Sequence, residues 1–274
     1  MYTEYQPSHL LVPYIDSYWE FKGNPDYGMR IHILPDGCTD FIFTLGEVAN
    51  AVEEGSLMMQ PYRSYFVGPM TKYSELVTYT ESIHMFGVRF LPCGLSCFTN
   101  LPLHEFVNSR VSTNEMKAVF DDTFIEKLGE QKHVTDRIRV VEEYLLAYLA
   151  RHYQPADSHV AMAVNMINHS KGKRSVRSLM DDVCLCQRHF ERKFKHYTGF
   201  TPKEYSRIVK FKNAVELLRT TTSPNLLTTA VDAGYYDLAH FSKEIKSMSG
   251  NTPASFLSLT VPEETTLTYI EPQR

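Results

Sequence analysis

The chain has 274 residues, a formal net charge of −4 and an apolar content of 43%, which is ordinary for a globular protein. No apolar run is long enough to cross a bilayer, and the first residues lack the basic start and apolar stretch of a secretion signal. The five cysteines show no Cys-x-x-Cys spacing, which disfavours a disulfide framework or a zinc site. We therefore expect a cytoplasmic protein with no membrane segment, cofactor or metal.

The first hundred residues contain short apolar runs, such as 40–45 and 85–90, that are bounded by Pro and Gly. This punctuation predicts strands, and the many aromatic residues suit a sandwich or a barrel. Apolar residues then recur at helical spacing within 135–152, which predicts an amphipathic helix. The apolar stripe of this helix packs either on its own domain or on a second subunit.

Charge divides the chain into regions. Residues 1–155 carry 12 Lys and Arg against 20 Asp and Glu, whereas residues 156–260 carry 15 against 9. A basic excess confined to one region favours contact with a polyanion there. We predict an α+β protein with an N-terminal β-rich domain over 1–155, an all-helical domain over 156–260 and a polar tail over 261–274.

A short phrase occurs twice in the basic region. Gly199-Phe200-Thr201-Pro202 recurs 51 residues later as Gly250-Asn251-Thr252-Pro253. The preceding text, Phe190-x-Arg192-x-Phe194-Lys195, is echoed as Phe241-x-Lys243-x-Ile245-Lys246 at the same displacement. A repeat of this length indicates one supersecondary unit that is used twice.

The first copy predicts two short helices and a long one. Apolar spacing indicates a helix over 176–183, and a second helix follows a tight turn from about Gln187 to Tyr197. Gly199 fits a left-handed stop after that helix. Thr201 and Glu204 form a capping box with Pro at the first helical position, which predicts a long helix from about Pro202 to Arg219.

The second copy follows the same plan, with a turn at 234–236 that is one residue longer and with Asp237 as the cap of its second helix. Two short helices around a tight turn, with basic residues outside the second helix, form a helix-turn-helix unit for DNA. The residues predicted to face DNA are Gln187, Arg188, His189, Arg192, Lys193 and Lys195 in the first copy, and Leu238, His240, Ser242, Lys243 and Lys246 in the second.

Residues from about 159 to 258 resemble the DNA-binding domain of AraC/XylS-type transcription regulators. The matching positions are Arg188-His189-Phe190-x-Arg192-x-Phe194-Lys195, Gly199-x-Thr201-Pro202, Ala230-x-x-x-Gly234-Tyr235, Asp237-x-x-His240-Phe241-x-Lys243 and Gly250-x-Thr252-Pro253. The resemblance implies two helix-turn-helix units joined by a long helix, with recognition helices that enter successive major grooves. Double-stranded DNA, a small-molecule effector, a second copy of the chain and RNA polymerase are the expected partners.

Some residues depart from the family pattern. Met180 and Cys184 replace smaller residues, and Cys186 stands where a Ser usually caps the recognition helix. Lys243 replaces Arg and Ile245 replaces Phe in the second copy. Because Lys lacks the fork that reads guanine, we expect the first copy to make most of the specific contacts. The alternative for Arg192 and Lys243 is that they bridge helices.

Two N-terminal phrases, 35–41 and 86–95, resemble the cupin-like sensory domains of a subset of this family. This resemblance implies a β-barrel with helices that senses a ligand or dimerises. Barrel mouths commonly hold small molecules. The residues proposed to line such a pocket are Trp19, Tyr18, Phe43, Tyr65 and Arg89, with barrel-core packing as the alternative.

An enzyme is not expected. A metal-dependent cupin needs several His and a carboxylate, for which His32, His84, Glu20 and Glu81 are the candidates, but no His-x-His pair exists. A phosphate loop and a nucleophile elbow are also missing from the sequence. We predict a sequence-specific DNA-binding transcription regulator under small-molecule control. The alternatives are a sensor or interaction protein with a weakened DNA reader, and a cupin-type enzyme fused to a DNA-binding domain.

Overall fold

The computed structural model describes residues 2–51, 57–116, 119–120, 122–152, 154–183, 185–220, 225–258 and 268–270. The strands are β1 (Tyr2–Tyr5), β2 (Ile15–Gly23), β3 (Met29–Ile33), β4 (Thr39–Thr44), β5 (Asn50–Ala51), β6 (Ser64–Val67), β7 (Ser74–Thr78), β8 (Ile83–Phe90), β9 (Arg110–Ser112) and β10 (Thr268–Ile270). The helices are α1 (Asp122–Gly129), α2 (Val134–His152), α3 (Ser158–His169), α4 (Val176–Val183), α5 (Gln187–Thr198), α6 (Pro202–Thr220), α7 (Leu226–Asp232), α8 (Leu238–Ser249) and α9 (Pro253–Ser258).

The strands form two antiparallel sheets. The larger sheet has the order β1-β2-β8-β4-β6-β9, and the smaller has the order β10-β3-β7-β5. Apolar side chains from both sheets, including Ile42, Met85, Ile31 and Leu76, pack in one cluster between them. The predicted α+β class with a β-rich domain and a helical domain is confirmed. Of the sandwich or barrel that the sequence favours, the strands in the described ranges form two sheets and no closed barrel.

The larger sheet is buried on both of its faces. Successive side chains of each strand point to opposite faces, so neighbouring residues pack in different clusters. Tyr18, Phe41, Phe43 and Phe86 lie on the face away from the smaller sheet and are fully buried. The helix α2 packs on this face through its apolar stripe. Each buried aromatic ring contributes roughly 1.5–3 kcal/mol relative to exposure. The stripe of α2 therefore belongs to the core of its own domain.

Helices α3 to α9 form the C-terminal domain, with α6 at its centre. The repeated residues Phe190 and Phe194 of α5 and Phe241 and Ile245 of α8 are fully buried in its core. The predicted bounds of α5 and α6 agree with the structure to within one residue. A left-handed Gly ends each recognition helix, with φ of 83° at Gly199 and 75° at Gly250.

The capping box before α6 is confirmed. The N–H of Thr201 donates to Glu204 Oε2 at 2.7 Å, and the N–H of Glu204 donates to Thr201 Oγ1 at 3.2 Å. Two of the free amides at the helix start are satisfied in this way.

The two domains are in contact. Leu34 and Cys93 of the N-terminal domain pack in the core of the C-terminal domain. The ring of Tyr205 on α6 lies so close to Gly37 that a Cβ there would be 2.7 Å from it. Gly37 belongs to the first N-terminal phrase and Cys93 to the second, so both phrases lie where the domains meet.

The end of the chain returns to the N-terminal domain, because β10 pairs antiparallel with β3. The rest of the predicted tail, at 261–267 and 271–274, lies outside the described residues, and so does Cys184 in the predicted turn of the first unit. In the described part of the chain, no helix combines the length and the apolar character that a membrane crossing requires.

Candidate nucleic-acid interface and cavity

The helix α5 presents a row of basic side chains to solvent. Arg188, Arg192 and Lys195 are exposed, and none of them pairs with another residue that the structure describes. Unpaired Arg and Lys side chains on one helix face are free to contact phosphates and base edges. The sequence prediction for these three residues is therefore compatible with their placement.

The other predicted DNA-facing residues of α5 are placed differently. Lys193 is half-buried, and its Nζ donates to Asp157 Oδ2 at 2.6 Å, which ties α5 to the start of α3. His189 is half-buried, and Gln187 Nε2 donates to Glu191 Oε1 at 2.8 Å within α5. Lys193 is thus engaged within the protein, whereas Gln187 remains exposed beside the free basic row.

The two recognition helices start differently. Cys186 at the N-cap of α5 makes no side-chain capping hydrogen bond. Asp237 caps α8, because its Oδ1 accepts from the N–H of His240 at 2.7 Å. A cap of this kind contributes about 1 kcal/mol of helix stability. Both expectations from the sequence are confirmed.

The helix α8 presents a different outer face. Its predicted residues Leu238, His240, Lys243 and Lys246 are exposed, and Ser242 is half-buried. Lys243 and Lys246 have no ion-pair partner among the described residues. The outer face of α8 therefore carries two ammonium groups, a histidine and an apolar side chain, whereas the outer face of α5 carries a row with two arginines.

Tyr236, in the turn before α8, was missed by the sequence reasoning. It is 90% exposed, the most exposed large apolar residue in the described chain. Its position at the start of a recognition helix places an aromatic ring beside the surface that would face DNA. The signal for it in the sequence is the extra residue of the second turn.

Basic residues of α6 brace the second unit. Arg207 donates through Nε and Nη2 to the two oxygens of Glu244 on α8 at 2.9 and 3.0 Å. Lys210 Nζ donates to the carbonyl of Gly234 at 3.1 Å and lies 5.6 Å from the ring centre of Tyr235. Arg207 and Lys210 of α6 thus bridge to the second unit, whereas both Arg192 and Lys243 stay exposed.

A mostly apolar cavity opens between the two sheets of the N-terminal domain. Its empty volume is about 710 Å³, including the part open to solvent. Trp19 and Arg89, two of the five residues proposed from the sequence, line it. The other lining residues are Tyr2, Phe21, Ile31, Ile33, Asp40, Ile42, Met59, Val67, Met70, Leu76, Met85 and Arg110.

The remaining three proposed residues do not line the cavity. Tyr18 and Phe43 lie on the opposite face of the larger sheet, because each is adjacent in its strand to a cavity residue and side chains alternate. Tyr18 donates to Glu142 of α2 at 3.3 Å. Tyr65 packs in the cluster between the sheets, and its hydroxyl accepts from the N–H of Gln60 at 2.7 Å.

A buried charge cluster forms the polar end of the cavity. Arg89 Nε lies 3.3 Å from Asp40 Oδ1 and 3.5 Å from Asp36 Oδ2, and Arg89 Nη1 lies 3.4 Å from Glu4 Oε1. Trp19 Nε1 donates to Asp40 Oδ1 at 2.6 Å. Burial raises the pKa of Asp40 to about 6, although the Arg89 charge acts to lower it. The cluster joins the two N-terminal phrases and fixes the indole in the cavity wall.

The candidate metal residues do not gather into one group. His84 Nε2 lies 2.9 Å from Glu20 Oε1, and Arg137 Nη1 also contacts that oxygen at 3.0 Å. His32 lies on the other sheet, stacked on Tyr73. The described residues contain no group of three or more His, Cys, Asp or Glu side chains that could hold an ion. Glu20 thus forms an ion pair with Arg137 and a hydrogen bond with His84.

Two family models match the chain. Residues 3–112 match a family described as a domain of unknown function (DUF6597), and residues 179–258 match the family described as helix-turn-helix domain. No curated protein sequence matches the chain.

Two solved structures share the two-domain fold over most of the chain. ToxT from Vibrio cholerae has a TM-score of 0.52 at 9% identity, over 89% of this chain and 98% of its own. ToxT from Vibrio cholerae O395 has a TM-score of 0.50 at 9% identity, over 88% and 97%. A probable AraC family transcriptional regulator from Rhodopseudomonas palustris CGA009 is 21% identical over 37% of this chain and 96% of its own, with a TM-score of 0.34.

Two helix-turn-helix units on a shared central helix define the C-terminal domain as a DNA-binding domain. The matched repeat, the glycine-ended recognition helices and the central helix α6 agree with the pattern recognised in the sequence. Residues 179–258 belong to a helix-turn-helix domain family and residues 3–112 to the DUF6597 family, and the pattern of the C-terminal domain resembles that of AraC/XylS-type transcription regulators.

Proposed function

We propose that the chain is a sequence-specific transcription regulator whose helices α5 and α8 read DNA and whose cavity binds a small-molecule effector. The observation that carries the DNA part is the exposed, unpaired row Arg188, Arg192 and Lys195 on a recognition helix. Guanidinium groups in the major groove bind guanine edges bidentately. The protein acts in the cytoplasm, where DNA is accessible, and has no catalytic role.

The cavity supports the effector part of the proposal. Its wall is largely apolar, and a few polar groups converge at one end, as in most small-molecule sites. Trp19 is the only tryptophan of the chain and lies in this wall, so its fluorescence reports on occupation directly. The effector is therefore an apolar molecule with at least one polar group that reaches Asp40, Arg89 or Arg110.

The regulator is proposed to bind its operator as a homodimer and to contact RNA polymerase. A dimer would place two readers on one operator, which is the common use of two-fold symmetry in DNA-binding proteins.

DNA binding is tested by selecting bound sequences from a random duplex library and titrating the best fragment at several salt concentrations. Affinity is expected to fall steeply with salt because bound phosphates release counterions. Arg188→Ala combined with Arg192→Ala should abolish sequence preference. The matched control, Arg63→Ala with Arg151→Ala, removes the same charge from exposed sites of the N-terminal domain and should change little. Failure to enrich any sequence would contradict the proposal.

Effector binding is tested by screening small metabolites for a thermal shift of the full chain, followed by titration of Trp19 fluorescence. A true effector raises the melting temperature because it binds the folded state, and it changes the indole emission. Hits that stabilise the chain without affecting Trp19 would place the effector elsewhere. Stoichiometric iron, manganese or zinc in the purified protein would instead support the alternative of a cupin-type enzyme fused to a DNA-binding domain.

A further inference from the structure

A six-residue segment of the N-terminal domain, Gly68–Tyr73, contacts the ends of both recognition helices. We call it the connecting segment. Pro69 lies under the end of α5, where a Cβ on Gly199 would be 2.5 Å from Pro69 Cγ. Tyr73 lies under the end of α8, where a Cβ on Gly250 would be 2.6 Å from Tyr73 Cζ. The repeated glycines that end the two helices thus rest on one short stretch of chain.

The contact with α8 includes a backbone hydrogen bond. The N–H of Tyr73 donates to the carbonyl of Met248 at 2.8 Å. Near the other end, the carbonyl of Leu103 lies 3.2 Å from the position of a Cβ on Gly199. Both helix ends are therefore seated on N-terminal backbone, and any displacement of that backbone shifts them.

The connecting segment also forms part of the cavity wall. Met70, between Pro69 and Tyr73, lines the cavity. Arg110, another lining residue, donates through Nη2 to Ser74 Oγ at 2.7 Å, one residue beyond the segment. A ligand in the cavity would thus press on the same backbone that carries the helix ends.

Asn108 makes the connecting segment stiff. Its N–H donates to the carbonyl of Pro69 at 2.9 Å, and its Oδ1 accepts from the N–H of Thr71 at 2.8 Å. Its Nδ2 donates to Thr71 Oγ1 at 2.8 Å. A Cβ on Gly68 would lie 1.9 Å from the carbonyl oxygen of Phe106, so the start of the segment is in close contact with the same loop. The segment and this loop are therefore held together by several contacts.

We propose that the connecting segment transmits occupation of the cavity to the relative placement of α5 and α8. Tandem readers must match major grooves about 34 Å apart, so a small shift at one helix end alters the fit to DNA. The regulatory meaning of this coupling rests on the proposed function. The mechanical coupling itself is a property of the protein without DNA.

Hydrogen exchange of the full-length chain tests the coupling. Met70 and Met59 both line the cavity, but only Met70 belongs to the connecting segment. Met70→Ala is expected to speed exchange of the amides at 199–200 and at 250–251 by roughly fivefold or more, the lower range of allosteric couplings. Met59→Ala should leave both sites unchanged. Equal effects of the two variants, no effect of Met70→Ala, or an effect at one helix end alone would overturn the proposal.

Two further measurements keep the test decisive. Met70→Leu and Met59→Leu repeat the comparison with conserved volume, so the result does not depend on the Ala variants folding. In a Tyr73→Ala background, which removes the ring under Gly250 but keeps the backbone hydrogen bond to Met248, Met70→Ala should still affect 199–200 and should affect 250–251 less. An unchanged response at 250–251 would contradict transmission through the Tyr73 ring.

The outcome is separable from the proposed function. If the wild-type chain shows no specific DNA binding but the exchange pattern is as expected, the regulator proposal fails and the coupling stands. If DNA binds specifically and the Met70 and Met59 variants behave alike, the coupling fails and the regulator proposal stands.

Discussion

The two helix-turn-helix units share a core but are supported and equipped differently. The first unit presents free Arg188 and Arg192 and is tied to α3 through Lys193 and Asp157. The N-cap residue of its recognition helix, Cys186, makes no capping hydrogen bond. The second is capped by its own aspartate and braced by two basic residues of α6. The two units thus share a fold but differ in which basic side chains are free and which hold helices together.

The largest expected difference between the units is in DNA affinity. Arg188→Ala with Arg192→Ala should weaken binding to the selected fragment by about 2 kcal/mol or more, since each guanidinium on a base contributes roughly 1–3 kcal/mol. Lys243→Ala with Lys246→Ala should mainly reduce the salt dependence, by about one counterion per lysine, with little change in sequence preference. Fluorescence anisotropy at several salt concentrations measures both. Equal losses of specificity would remove the distinction between the units.

The two glycines that end the recognition helices should be equally intolerant of substitution by alanine. Gly199→Ala and Gly250→Ala each impose a left-handed backbone on a residue with a Cβ, which costs roughly 1–2 kcal/mol, and each Cβ also meets a ring of the connecting segment. Gly129→Ala, where a Cβ meets nothing within 4 Å, is the control. Denaturant unfolding measures the free energy of unfolding of the three variants. A neutral result at either recognition helix would mean that the two helix ends are not equivalent.

Substitutions at the two N-cap residues should change the stability of the domain in opposite directions. Asp237→Ala removes the hydrogen bond to the N–H of His240 and should destabilise the domain by about 1 kcal/mol. Cys186→Ser supplies the missing oxygen at the start of α5 and should stabilise by up to about 1 kcal/mol. Thermal unfolding followed by circular dichroism measures both shifts. A loss of stability in Cys186→Ser would show that the thiol has a packing role that a hydroxyl cannot replace.

The smallest effect concerns the ion pair of the first unit and depends on pH. Burial acts to raise the pKa of Asp157, but hydrogen bonds from Lys193 and from the N–H of Val160, with the Lys193 charge, hold the pKa below its ordinary value. A lowered folded-state pKa stabilises the protein above the unfolded pKa of about 4, and this stabilisation is lost as pH falls through the folded-state pKa. Lys193→Met should therefore cost up to about 1 kcal/mol at pH 7 and progressively less below pH 4, measured by urea unfolding. A cost that does not change with pH would assign the effect of the variant to packing.

The C-terminal domain was predictable because its signals are local. Gly199, the Thr201–Glu204 box and Asp237 each specify a helix end within a few residues, and the structure has them as predicted. The destination of Lys193 was not predictable, since its partner Asp157 lies 36 positions away on another helix. The DNA contacts of the remaining basic residues stay a prediction.

In the N-terminal domain, the residues that line the cavity could not be predicted from the sequence alone. Trp19 and Arg89 line the cavity and Tyr18 and Phe43 do not, and strand alternation separates the two sets once the pairings of β2 and β4 with β8 are known. The pairing of β2 with β8 joins residues about 70 positions apart along the chain. Met70 was missed for the same reason, because its role arises from two helix ends more than a hundred residues further on.

The pairing of β10 with β3 gives the DNA-binding domain a second attachment. The domain leaves the N-terminal domain after α2 and its chain returns to the small sheet, next to cavity residues Ile31 and Ile33. The helical domain is thus joined to the N-terminal domain by the chain on both of its sides, so separating the two domains would break the β10–β3 pairing as well as the packing contacts between them.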